Sequence, residues 1–423
     1  AVPIISSVFL ALDNSTIAVT FNEAVYNTNG GSGSLQASDF FFSISGGTAT
    51  LSHAAPISFS ASGNVYTLGI GISGTPAGTE VLTVVPVVSE VYDGSGNVAS
   101  TTQSNNTATL IDLTAPTISS VTSSKENGSY KVGEVIALTV TFSEAVTVTG
   151  TPQLTLETGA TDAVVDYSSG STTTILTFNY TVGAGENSSD LDYDSTNALK
   201  LNGGTIKDAG GSNAYLTMVP PGATTSLGAN KALIIDTTVP TISSVTSTTS
   251  DGRYNAGDEI NVTVTFSEAV TLADGNLVIT LETGTTDRTV TITTISGSTT
   301  ASGTYTVQTG DVSADLTVSA IALSAGTLSD AASNAMSSFS IGTNLATGSS
   351  IIIDTTVPTI SSVTSTSADG RYNIGDEINV TVTFSEAVTL VDGNMVITLE
   401  TGATDRTVTI TSISGSTTAS GTY

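Results

Sequence analysis

The sequence predicts an all-β fold built of tandem β-sandwich domains, and three observations lead to this prediction. The first is internal repetition, because Pro116, Pro240 and Pro358 lie 124 and 118 residues apart and each precedes Thr-Ile-Ser-Ser-Val. The second is strict alternation of apolar and polar residues, which is the period of a half-buried strand. The third is the placement of Gly, Asp and Asn between the alternating runs, as turns require. No segment shows a helical period.

The repeat sets the expected domain boundaries. Phe-Ser-Glu-Ala-Val begins at Phe142, Phe266 and Phe384 with the same spacing as the prolines, and residues 241–305 match 359–423 at 58 of 65 positions. We therefore expect four domains. Their predicted bounds are 1–113, 114–237, 238–355 and 356–423. The third repeat continues past the point that aligns with Tyr423, so the fourth domain is expected to be incomplete and the array to be longer.

The first domain is a divergent relative of the other three. It opens with Pro3-Ile-Ile-Ser-Ser-Val, and Phe21-Asn-Glu-Ala-Val takes the place of Phe-Ser-Glu-Ala-Val. These two motifs are 18 residues apart here and 26 residues apart in the other domains, so the first loop is shorter. A divergent terminal unit is typical of a repeat array, in which end repeats act as caps.

The third domain shows the strand pattern most clearly. The predicted inward-facing residues of its strands are Ile260, Val262, Val264, Phe266, Leu277, Ile279, Leu281, Val290 and Ile292. Turn signals follow, such as Asp274-Gly275-Asn276. About seven short strands in about 120 residues suggest an immunoglobulin-like sandwich, and tandem sandwiches with short linkers predict an elongated rod. Since the chain has no Trp or Cys, the core must come from Val, Ile, Leu, Phe and Tyr.

Composition excludes several functional classes. The chain has 423 residues, with 37 Asp and Glu against 9 Lys and Arg, a net charge of −28. So acidic a chain has too few cations to bind nucleic acid. The lack of Cys excludes disulfides and thiolate metal sites, and His53 is the only histidine. No apolar run is long enough to span a membrane.

The sequence also predicts that the protein is not an enzyme. It contains no Gly-x-Ser-x-Gly elbow and no phosphate-binding Gly-x-x-x-x-Gly-Lys motif. Apart from His53, no histidine is present to complete a catalytic triad with a serine. A glycosidase with paired carboxylates stays formally open, but near-copied repeats would duplicate its active site and the sequence offers no aromatic-rich sugar cleft.

Recurrent acidic residues predict calcium sites at the domain junctions. Each junction has an Asp in the linker, a Glu that closes the second strand, and an Asp in a turn before the last strand. The candidate ligands are Asp112, Glu144 and Asp208, then Asp236, Glu268 and Asp330, then Asp354 and Glu386. In a sandwich of this topology the three positions share one end of the domain, where their oxygens suit Ca²⁺. The competing interpretation is that these acids cap turns or are solvated.

A second acidic motif is interpreted as part of a strand and not as a calcium-binding loop. Asp190-Leu-Asp-Tyr-Asp resembles the start of an EF-hand loop, but its sixth position is Ser195 and its twelfth is Leu201, where the loop needs Gly and Glu. The favoured interpretation is a strand with Leu191 and Tyr193 facing inward and the aspartates facing outward.

The repeat motifs resemble those of very large bacterial surface proteins. The motifs are Asp236-Thr-Thr-Val-Pro-Thr-Ile-Ser-Ser-Val, Val262-Thr-Val-Thr-Phe-Ser-Glu-Ala-Val, Leu281-Glu-Thr-Gly and Leu201-Asn-Gly-Gly-Thr-Ile-Lys-Asp-Ala-Gly. They are similar to the swimming-motility or flagellar-system-associated repeat type, while residues 1–113 resemble bacterial Ig-like domains of surface-layer and adhesin proteins. The resemblance implies an extracellular stalk on a bacterial cell surface, with a distal ligand that is a surface, glycan or protein and a link to secretion or motility machinery.

Two further points stay open at this level. The alternative function is a structural protein that assembles into a sheath, filament or surface layer, which would require apolar patches for lateral contact. In addition, Thr237, Thr355 and Ser195 follow an Asp in a pattern that resembles a short bacterial O-glycosylation signal, although ordinary linker sequence accounts for the same residues.

Overall fold

A computed structural model describes residues 1–423 and confirms the predicted all-β fold. Strands are joined by turns and loops, and helix is confined to α1 (Leu227–Asn230) and two 3₁₀ turns, Ala37–Asp39 and Leu345–Thr347. The chain forms two compact units, Ala1–Thr238 with Ala332–Asn334 and Val239–Ala331 with Ala335–Tyr423.

The first unit begins with a sandwich of nine strands. They are β1 (Ile5–Leu10), β2 (Thr16–Phe21), β3 (Phe40–Ser45), β4 (Thr50–Leu51), β5 (Phe59–Ser62), β6 (Val65–Gly69), β7 (Ile72–Ser73), β8 (Val81–Pro86) and β9 (Thr107–Thr109). One sheet has the order β1-β2-β6-β5, and the other has the order β3-β8-β9. Phe21, Phe40 and Tyr66 pack between the sheets with ring centroids about 6 Å apart, in tilted and edge-to-face arrangements that aromatic pairs favour.

The second sandwich of this unit follows residue 113. Its strands are β10 (Ile118–Ser123), β11 (Gly128–Tyr130), β12 (Val135–Thr149), β13 (Gln153–Leu156), β14 (Ala163–Ser169), β15 (Thr173–Thr181), β16 (Leu199–Lys200), β17 (Thr205–Lys207) and β18 (Leu233–Ile235). They form a seven-stranded sheet of order β10-β12-β15-β14-β13-β16, in which β17 pairs with the end of β12. Strands β11 and β18 pair in parallel.

The second unit contains one complete sandwich and five further strands. Its complete sandwich contains β19 (Ile242–Thr246), β20 (Gly252–Tyr254), β21 (Glu259–Ala273), β22 (Leu277–Glu282), β23 (Arg288–Ile292), β24 (Ser298–Thr306), β25 (Val312–Ser313), β26 (Thr317–Leu323), β27 (Thr327–Ser329), β28 (Ile341–Thr343) and β29 (Ile351–Asp354). The last five strands are β30 (Ile360–Thr364), β31 (Asn379–Val388), β32 (Met395–Leu399), β33 (Arg406–Ile410) and β34 (Ser416–Thr422). Sheets β24-β21-β19-β28, β23-β22-β26 and β20-β29-β25 build the complete sandwich.

The alternation in the third repeat places its apolar residues where the sequence predicts. Ile260, Val262 and Val264 are fully buried, and Phe266 is 3% exposed. The same cluster includes the apolar residues predicted on β22 and β23. Asp274 and Gly275 both have positive φ, 53° and 101°, in the turn that carries the chain from β21 to β22, which lie in different sheets. Separate apolar clusters form the cores of the three complete sandwiches.

Candidate functional site: a carboxylate cluster in the first unit

Three predicted acidic side chains converge in the first unit. Asp112 lies in the linker between β9 and β10, Glu144 lies within β12, and Asp208 follows β17. Each offers a carboxylate oxygen, and these oxygens all lie within 4.8 Å of one another. The three residues come from distant parts of the sequence, so it is the pairing of β12 with β17 that brings two of them together.

Glu144 does not close a strand, in contrast to the prediction. Strand β12 runs for 15 residues, from Val135 to Thr149, and Glu144 lies inside it. A register shift between Thr141 and Val146 interrupts the pairing with β15, and the later residues pair with β17 instead. Across this shift β12 advances five residues while β15 advances two, so β12 leaves β15 and its last residues are free to pair with β17. Glu144 and its equivalents Glu268 in β21 and Glu386 in β31 therefore occupy the interior of a strand.

Asp208 holds the turn after β17 and also presents a free oxygen. Its Oδ1 accepts a hydrogen bond of 2.7 Å from the Ser212 backbone N–H, which closes the turn. The residue is only 5% exposed, yet its buried Oδ2 has no hydrogen-bond partner. A buried carboxylate oxygen without a partner is costly, so this atom fits a cation.

The linker is held close to this turn. The Thr114 backbone N–H donates to Asp112 Oδ1 at 2.8 Å, and the Leu113 N–H donates to the Pro76 carbonyl of the first sandwich at 2.9 Å. A Cβ placed on Gly210 would lie 1.8 Å from the Asp112 carbonyl oxygen, so only glycine permits this approach. The cluster thus joins the linker of one sandwich to the body of the next.

The electrostatics of the cluster favour a bound cation. Burial raises the pKa of Glu144, and the charges of Asp112 and Asp208 together with a hydrogen bond to Asp112 raise it further, to about 7. Three acidic groups this close repel one another, and a divalent cation would replace that repulsion with attraction. Carboxylate oxygens are ligands that Ca²⁺ prefers, and water or carbonyl oxygens can complete its six to eight ligands.

The other predicted ligands lie in different surroundings. In the second unit, Glu268 and the buried Asp330 offer oxygens within 4.8 Å of each other. In the first unit, Asp236 Oδ1 accepts from the Thr238 backbone N–H at 3.0 Å. Asp354 is paired with Arg253 at 3.3 Å, and it does not belong with Glu386 to a group of three close acids.

The first sandwich contains equivalents that the sequence prediction overlooked. Glu23 occupies the Glu position of Phe21-Asn-Glu-Ala-Val, and its buried Oε1 has no hydrogen-bond partner. Asp93 forms the same turn as Asp208, since its Oδ1 accepts from the Asn97 N–H at 2.8 Å. The signal was present in the sequence, because Asp93-Gly-Ser-Gly-Asn has the spacing of Asp208-Ala-Gly-Gly-Ser.

The EF-hand-like motif differs from its predicted form. Leu191 and Tyr193 are buried, as expected of inward-facing residues, but residues 190–194 do not form a strand and Asp192 does not face outward. Asp192 is 8% exposed, and its Oδ2 accepts from the Gly222 backbone N–H at 2.9 Å. The carboxylate is buried because it fastens the irregular segment after β17.

The predicted glycosylation residues take part in local hydrogen bonds. Thr237 Oγ1 accepts from the Gly185 N–H at 3.1 Å, and Thr355 Oγ1 donates to the Asp311 carbonyl at 2.9 Å. The Ser195 hydroxyl donates to Asp194 Oδ1 at 3.1 Å.

Comparison with known proteins gives no family. No protein-family model and no curated protein matches the chain. The chain is similar to the solved structure of the surface layer protein SbsC, domains 4–9, at 12% identity and a TM-score of 0.18, covering 86% of this chain and 49% of that one. It is also similar to the full extracellular region of plexin A4, at 9% identity and a TM-score of 0.19, covering 96% of this chain and 43% of that one. The chain thus spans about half the length, or less, of these structures, and at such TM-scores the likeness supports no functional argument. No helix in the structure has the length and apolarity needed to cross a bilayer.

Proposed function

We propose that this chain is a non-catalytic stalk or fibre segment of a large, repeat-containing bacterial surface adhesin, linked to surface motility, whose sandwich junctions are stiffened by Ca²⁺. The observation that carries the proposal is the orphaned, buried Oδ2 of Asp208 within the Asp112, Glu144 and Asp208 cluster. An ion bound there would tie a linker to the following sandwich. Repeated sandwiches with separate cores suit a spacer, and a net charge of −28 keeps such a spacer soluble.

Calcium is expected to stabilise the full chain against heat. Calorimetry in excess Ca²⁺ and in excess chelator should differ, because a ligand at 100 times its Kd adds about 2.7 kcal/mol, or about 10 °C for a domain of about 120 residues. Asp208→Asn should remove the difference for the second sandwich, since Asn keeps the turn but loses the charge. Glu126→Gln, at an exposed glutamate outside the cluster, is the matched control. Identical melting curves with and without Ca²⁺ would exclude the calcium-stiffened junction.

A second function, assembly into a sheath or layer, is favoured by one observation. Phe9 and Leu12 on the first sandwich are 74% and 77% exposed, and large exposed apolar side chains mark protein contacts. For the stalk we expect the full chain to sediment as a monomer at all concentrations. Oligomers that disappear in the Phe9→Ser, Leu12→Ser double variant, but persist in Val135→Ser, would support assembly instead.

A further inference from the structure

The third repeat contains a buried ion pair, and the second repeat keeps only the acidic member of the equivalent pair. In the third repeat, Asp311 is 1% exposed and its Oδ2 accepts from the Tyr305 hydroxyl at 2.6 Å and the Gln308 N–H at 2.9 Å. Its Oδ1 accepts from Arg288 Nε at 2.8 Å. The carboxylate is thus satisfied on both oxygens, and the guanidinium is the fourth component of the network.

The second repeat preserves three of these four components. Residues 156–187 align with 281–312 without gaps, so Tyr180, Gly183 and Glu186 correspond to Tyr305, Gln308 and Asp311. Glu186 Oε2 accepts from the Tyr180 hydroxyl at 2.6 Å and from the Gly183 N–H at 2.7 Å, as in the third repeat. The residue that corresponds to Arg288 is Ala163, so no arginine reaches Glu186 Oε1 from this position.

An open groove lies where the arginine side chain is missing. Its volume is about 550 Å³, and its lining includes Ala163, Val164, Asp166 and Glu186. Val164 is 57% exposed and offers an apolar surface for an aliphatic stem, while the carboxylates supply negative charge. The groove therefore has the room and the negative charge to receive a long cationic side chain.

We propose that this groove binds an arginine side chain presented by a partner polypeptide, with the guanidinium donating to Glu186 Oε1 as Arg288 donates to Asp311 within the third repeat. Arginine is favoured because its planar guanidinium has donors in a fixed arrangement that matches a carboxylate. A separate polypeptide is favoured as the source because this chain has only 9 Lys and Arg in 423 residues. The inference is independent of calcium binding, since the groove and the carboxylate cluster share no residue.

The test uses the full chain, isotopically labelled for NMR, and the blocked tripeptide Gly-Arg-Gly. The arginine peptide should shift the amide signals of Ala163 and Glu186 with a weak Kd, on the order of millimolar or above. The same peptide with neutral citrulline should bind at least about tenfold more weakly. Glu186→Gln keeps the acceptor for Tyr180 but loses the charge, and it should weaken binding of the arginine peptide to the level of citrulline.

A second variant fills the groove with an arginine side chain of the protein itself. Ala163→Arg should restore the ion pair of the third repeat, raise the melting temperature and block the peptide. Glu126→Gln should leave binding unchanged. Equal binding of the citrulline peptide, or undiminished binding of the arginine peptide to Ala163→Arg, would overturn the proposal.

Discussion

Replacing Glu80 with alanine is expected to destabilise the first sandwich by about 2–3 kcal/mol, because it removes the acceptor of three backbone N–H groups, of which that of Ala49 is buried. Glu80 is fully buried. Its Oε1 accepts from the Thr48 and Ala49 N–H groups at 2.9 and 3.1 Å, and its Oε2 accepts from the Ala77 N–H at 3.0 Å. The carboxylate thereby fastens two loops to the start of β8. In denaturant unfolding of the full chain, the first sandwich of this variant should unfold at a lower denaturant concentration than that of the wild type.

The same carboxylate should make stability depend on pH. Burial alone would raise the pKa of Glu80, but the backbone N–H groups that bond it outweigh burial and lower the pKa to about 2. Since the unfolded value is about 4.3, this contribution is complete above that pH and is lost as pH falls towards 2. Unfolding free energies of wild type and Glu80→Gln should converge over this acid range. Parallel curves would show that Glu80 makes no pH-dependent contribution to the unfolding free energy.

Gly210→Ala is expected to open the carboxylate cluster without changing its charge. The added Cβ would lie 1.8 Å from the Asp112 carbonyl oxygen, so the linker or the turn must move. Overpacking of this kind costs about 1–3 kcal/mol. We expect the calcium-dependent rise in melting temperature to be lost, because Asp112 no longer reaches Asp208.

A matched glycine provides the control for this variant. Gly348 has a negative φ, and no atom lies within 4 Å of an added Cβ. Gly348→Ala should therefore leave both stability and calcium response unchanged. A Gly210→Ala protein that keeps the full calcium response would show that close packing of the linker is unnecessary for the site.

The alternation of apolar and polar residues was sufficient to predict the all-β fold, whereas the pairing of strands distant in sequence could not be predicted from it. The alternation from Ile260 to Phe266 predicts a strand and its buried face directly. The continuation of β12 through Glu144 was missed because this charged residue occupies an inward position of the alternation, where an apolar residue is expected, and only pairing with β17 reveals that the strand goes on. Local patterns cannot specify a strand that changes partners.

The candidate site shows the same limit at the level of single atoms. The recurrence of Asp112, Glu144 and Asp208 could be read from the repeats, but the unpartnered Oδ2 of Asp208 depends on packing around the turn. The burial of Asp192 was unpredictable for a similar reason, since its partner is the backbone of Gly222, distant in sequence.

The parallel pairing of β11 with β18 has a consequence for force. The register joins Gly128 to Leu233 and Tyr130 to Ile235, so a strand early in the sequence of the second sandwich pairs with its last strand. In the second unit, β20 pairs with β29 in the same way. Tension applied to the ends of such a sandwich loads these ladders in shear, so their hydrogen bonds must break together instead of one after another. We therefore expect these two repeats to resist force to a degree set by strand geometry more than by thermodynamic stability.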